Sequence, residues 1–128
     1  MTETFAFRFD RRYAPLLRMF GATPQRCSLI IDDDRLAVRF GWFTLVTPRS
    51  NIASAEVTGP HQALKALGVR TSLSDRGLTF GSSADRTTCI RFHEPVRIRP
   101  VDVVAHPGLT VSVDRPDALA TLLNKSTR

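Results

Sequence analysis

With 128 residues, 42% of them apolar, the chain has material for one hydrophobic core and needs no stapling disulfide. Its formal charge of +6 comes from 18 basic residues, and all but Lys65 and Lys125 are arginine, the side chain suited to two-pronged recognition of phosphate or carboxylate. No run approaches the roughly 18 apolar residues of a membrane span and no basic start precedes an apolar block, so a single domain, 1–128, is expected in the cytoplasm.

Phe5, Phe7 and Phe9 alternate with Ala6 and Arg8, the period-two pattern of a strand with one dry face. Pro15 opens a short helix through Leu16, Leu17 and Phe20, which Gly21 stops. Cys27–Ile31 and Arg35–Phe40 flank Asp32, Asp33 and Asp34, which predicts a hairpin. Gly41 marks a bend before a strand from Trp42 to Val46, and Ile52–Val57 is the next strand, ended by Gly59 and Pro60. His61–Leu67 carries a helix-like apolar stripe.

Leu78–Phe80 and Thr87–Phe92 read as a second hairpin around the loop 81–86. Pro95 and Pro100 hold Val96 and Ile98 extended in a run suited to a sheet edge, which would leave room for a homodimer. At the end of the chain the period changes from two over Leu109–Val113 to about 3.6 over Leu119, Leu122 and Leu123. Asp114 stands at the helix start as a cap, with Pro116 and Asp117 in the first turn. The expected fold is mainly β, of the α+β kind: a curved antiparallel sheet or small open barrel with a C-terminal capping helix.

Five phrases together resemble a group of small uncharacterised actinobacterial proteins with a pleckstrin-homology-like (PH-like) fold. They are Phe7-Arg-Phe-Asp10, Val57-Thr-Gly-Pro60, Arg76-Gly-Leu-Thr-Phe-Gly81, Cys89-Ile-Arg-Phe92 with Pro95, and His106-Pro-Gly-Leu-Thr-Val-Ser-Val113 with Asp117-Ala-Leu119. The resemblance implies a single PH-like domain and a lineage. It carries no activity onto particular residues, and fold alone does not assign one.

Arg8, Arg35, Arg39 and Arg91 fall on the parity opposite to the apolar residues of their strands, so all four are expected to face outward and are the candidate contacts for an anionic partner. A GC-rich genome would enrich arginine as well. Nucleic-acid binding is disfavoured because the phenylalanines occupy core-facing parity, leaving Trp42 and Tyr13 as stacking candidates. Asp32–Asp34 reads as a turn, because it lacks the glycine and distant glutamate of a calcium loop. His61, His93 and His106 lack metal-ligand spacing. Cys27 and Cys89 read as reduced, buried thiols, and Cys89 lies four strand residues from His93, about 13 Å, too far for a nucleophile and its base.

Gly81-Ser82-Ser83 matches neither a phosphate loop nor a nucleophile elbow. With no catalytic, metal or cofactor motif, the leading expectation is a noncatalytic binding or scaffolding module for an acidic or phosphorylated partner. The alternative is a small-ligand carrier or enzyme with a pocket between the sheet and helices at 13–20 or 60–68.

Overall fold

A computed structural model describes residues 2–9, 11–19, 21–59, 68–71, 77–82, 86–100 and 105–125. Strict alternation makes its first half an antiparallel meander of β1 (Glu3–Ala6), β2 (Cys27–Ile31), β3 (Arg35–Phe40) and β4 (Phe43–Pro48), paired in that order. In β3, Leu36, Val38 and Phe40 are fully buried while Arg35 and Arg39 are exposed. The hairpin between β2 and β3 is where the sequence puts it. The Asp32 carboxylate accepts the backbone N–H groups of Asp34 at 2.8 Å and Arg35 at 2.9 Å, so the aspartate run builds a turn. Those two N–H bonds, that of Asp34 foremost, hold the Asp32 carboxyl below its usual range.

Between β1 and β2, helix α1 (Ala14–Arg18) buries Leu17 and closes at Gly21, whose N–H donates to the Arg18 carbonyl at 2.9 Å with φ of +70°.

The second sheet contains β5 (Ile52–Thr58), β6 (Gly68–Thr71), β7 (Leu78–Gly81), β8 (Thr87–Arg97) and β9 (Ala105–Val111), in the spatial order β5-β8-β9-β7-β6. This order corrects the expected hairpin of Leu78–Phe80 with Thr87–Phe92. β8 has eleven residues and pairs along both edges with seven-residue strands, β5 and β9, which leaves the four-residue β7 to pair in parallel on the far side of β9. The helical stripe at 61–67 and the loop tip at 83–85 lie outside the described residues.

The described residues thus form two sheets, with one parallel strand pair among them, rather than one all-antiparallel curved sheet or a closed barrel. Both flanks of the meander are stitched to the second half. Beyond β1, Phe7 bridges Val113, with Arg8 N–H donating to Ser112 O at 2.7 Å and Asp114 N–H to Ala6 O at 2.8 Å. Beside β4, Thr44 and Arg99 exchange both backbone hydrogen bonds, at 3.0 and 2.8 Å. The proline-flanked run is therefore a seam rather than an open edge: Val96 and Arg97 pair with His106 and Ala105, and Arg99 pairs with β4.

One core lies between the sheets, and Phe40 sits inside it, stacked on Phe80 at 5.3 Å and tilted against Phe7 at 5.4 Å. Helix α2 (Pro116–Lys125) packs Leu119, Ala120 and Leu123 onto β5 and β8. Each buried leucine contributes about 1.5–3 kcal/mol. The helix begins one residue later than an Asp114 cap requires, since Leu119 N–H donates to Arg115 O at 3.1 Å and Arg115 takes the cap position. The Arg115 guanidinium lies 4.9 Å over the Phe5 ring.

Cys27 is buried as expected, whereas Cys89 is only half-buried because it belongs to the outward row Glu56–Cys89–Thr110 of the second sheet. Burial pushes the Cys27 thiol up to about 11, against smaller lowering effects from the Gly41 and Thr23 backbone and Arg39. At pH 8 a maleimide is expected to modify Cys89 well before Cys27, as mass mapping would show. Because the folded state keeps the Cys27 proton longer than the unfolded chain, its contribution to stability is complete below pH 9 and declines as pH rises toward about 11.

Candidate functional site

Alternation and register decide which of the outward arginines share a surface. Arg8, Arg35, Arg39 and Arg91 are all exposed, as their parity implies, but they are divided between the sheets. Arg35 and Arg39 lie on the outer face of β3. Arg8 follows β1 at the seam with Ser112. Arg91 lies on β8, where it lines a hollow of about 160 Å³ with Cys89 and Thr110.

Arg35 and Arg39 differ in surroundings. Arg35 adjoins the aspartate turn, whose charges offset its own. Arg39 stands four residues further along β3, about 13 Å away, opposite Thr44 of β4. Thr44 is in turn opposite Arg99. Directly opposed residues of an antiparallel ladder share a face, so Arg39, Thr44 and Arg99 form one outward row, with strands about 4.8 Å apart. The buried Ile98 confirms the orientation, since Arg97 and Arg99 on either side of it are both exposed.

Sequence reasoning missed Arg97 and Arg99. Their alternation with Ile98 is a local signal, but the bridge that brings Arg99 beside β4 is not. Asn51 carries no signal in the sequence. Its amide nitrogen donates to Glu94 O at 2.9 Å and its amide oxygen accepts from Glu94 N–H at 2.8 Å, clasping the turn after β4 to β8.

Two hydrogen-bonded clasps, Thr44 with Arg99 and Asn51 with Glu94, therefore join β4 and its following turn to β8 and the residues just after it. Beside the strand lies a cleft of about 720 Å³, lined by Val46, Thr47, Pro48, Ser50 and Asn51 on one side and by His93, Glu94, Pro95, Val96, Arg97 and Arg99 on the other, so two arginines outnumber a single carboxylate. Because Thr44 directs its N–H and C=O away from β3 and the register runs on without a bulge, Val46 directs its own backbone groups the same way, into the cleft. This cleft lies at the β4–β8 seam; the alternative reading placed a pocket between the sheet and the helices at 13–20 or 60–68, and of these residue 20 and residues 60–67 lie outside the described residues.

The arrangement offers guanidinium groups, an imidazole and backbone donors on an open surface, a set that binds anions. No known protein family, curated protein or solved structure matches this sequence. Among the described residues no helix is long and apolar enough to cross a membrane.

Proposed function

We propose that the protein is a noncatalytic, PH-like binding module that recognises an acidic or phosphorylated partner through the Arg39–Thr44–Arg99 row. The observation that carries this reading is the backbone bridge between Thr44 and Arg99, which sets a second arginine on the face that already presents Arg39. The four-stranded meander, the second sheet and the terminal helix support the PH-like part of the proposal. Arg35, at the far end of the same strand, is offset by the aspartate turn and is not part of this row.

The test is fluorescence anisotropy with a labelled polyglutamate peptide and its phosphoserine counterpart. Reversing both charges (Arg39→Glu with Arg99→Glu) is expected to weaken binding at least about tenfold, with little change in thermal midpoint. Reversing Arg8 and Arg91 is expected to cost less than about threefold, a residual long-range effect. Equal losses from the two pairs, or none from the first, contradict the assignment.

The cleft favours a second reading, a carrier of a small anion held by His93, Arg97 and Arg99. Its test is a pyrophosphate titration by calorimetry, in which saturable binding that Ser50→Trp abolishes would support it.

A further inference from the structure

On the outer face of the second sheet, strand register brings together polar side chains that the proposed recognition of acidic segments does not use. Cys89 of β8 stands directly opposite Thr110 of β9, and Thr110 directly opposite Thr79 of β7, so the three form one row with strands about 4.8 Å apart. In the neighbouring row Arg91 faces Gly108. Thr79, Cys89, Arg91 and Thr110 all line the hollow of about 160 Å³, and none of the four side chains has a hydrogen-bond or ion-pair partner among the described residues.

Gly108 keeps this hollow open. A Cβ there would stand 3.0 Å from the Ile90 carbonyl oxygen, so a side chain would press on the backbone of β8 and fill part of the space that Gly108 lines.

Size and charge define what fits. The hollow holds about five waters at about 30 Å³ each, well short of the roughly 300 Å³ that a drug-sized ligand takes, so about four to seven non-hydrogen atoms fill it. Arg91 is the one cation in its lining, and its flat guanidinium matches a carboxylate with two parallel hydrogen bonds. Glu56, exposed on β5 directly opposite Cys89, adds a negative charge nearby that opposes a dianion such as phosphate. The Thr79 and Thr110 hydroxyls, able to donate and to accept, lie one step along the pleat from the Arg91 row, about 6.6 Å. Pro107 contributes an apolar wall.

We infer that the hollow binds a short hydroxy monocarboxylate, with its carboxylate on Arg91, its hydroxyl on Thr79 or Thr110 and its few carbons against Pro107. A site that hydrogen-bonds a ligand hydroxyl discriminates against the analogue lacking it. Such a ligand lies beyond the proposed recognition of acidic segments and meets none of the residues assigned to it.

Cys89 reports occupancy of the hollow, with buried Cys27 as the reference. At constant ionic strength, about 10 mM 3-hydroxybutyrate, roughly ten times an expected Kd near 1 mM, should slow maleimide labelling of Cys89 about tenfold without affecting the slower labelling of Cys27, as mass mapping reads it. Butyrate, the same chain without the hydroxyl, should protect at least about threefold less, and phosphate should give no protection. Arg91→Met, checked for folding by circular dichroism, should abolish protection and retain acidic-peptide binding. Thr79→Val with Thr110→Val should make 3-hydroxybutyrate and butyrate equal. Cys89 labelling that 3-hydroxybutyrate leaves unchanged overturns the inference, as does equal protection by phosphate or protection that survives Arg91→Met. Each of those failures leaves the row at Arg39 and Arg99 in place.

Discussion

Phe40→Ala is expected to lower the stability of the folded protein by about 3–5 kcal/mol, a large share of what a domain of this size has to lose. Alternation along β3 turns Phe40 inward. It is fully buried, stacked on Phe80 from the second sheet at 5.3 Å and against Phe7 from the meander end at 5.4 Å. The ring therefore joins the sheets across the core. Removing it deletes buried apolar area and both aromatic contacts, and leaves a cavity that neighbouring strands cannot close without breaking their ladders. Urea denaturation gives the measurement: the midpoint should fall with the slope unchanged. A loss below about 1 kcal/mol would show that Phe40 does not hold the sheets together.

Asn124→Ala is expected to cost about 2 kcal/mol, although the residue is near the end of the terminal helix. Among the described residues β5 is an edge strand, and Ala55 has no neighbouring strand on its outer side. There the Asn124 amide oxygen accepts the Ala55 N–H at 2.9 Å, and its amide nitrogen donates to the Ala55 carbonyl at 2.8 Å. One side chain thus replaces the missing strand and covers an edge otherwise open to pairing with another chain. Ala55 is buried, so truncation leaves a donor and an acceptor with poor access to water. Hydrogen exchange at the Ala55 amide should accelerate sharply in the variant, whereas Lys125→Ala should change neither exchange nor stability. Unaltered protection at Ala55 would contradict the role given to Asn124.

The parts of the fold legible in the sequence are those fixed by neighbours in the chain. The β2–β3 hairpin, the bend at Gly41, α1 with its Gly21 stop and the change of period into α2 are each set within a dozen residues. What escaped sequence reasoning depends on partners far along the chain. Nothing in Leu78–Phe80 or Thr87–Phe92 announces that β9 will enter between them, because that outcome reflects the relative lengths of strands competing for the same edges. The candidate site follows the same division. Parity placed Arg8, Arg35, Arg39 and Arg91 outward, but only the Thr44–Arg99 bridge decides that Arg39 shares its row with Arg99 and not with Arg91.

Backbone amide mapping by NMR during titration with the phosphoserine peptide tests most directly whether that row receives the anion. The expected result is a contiguous set of perturbed amides at Arg39, Thr44 and Arg99, with Cys89, Arg91 and Thr110 on the second sheet unmoved. Perturbations centred on the second sheet, with Thr44 and Arg99 silent, would contradict the proposal.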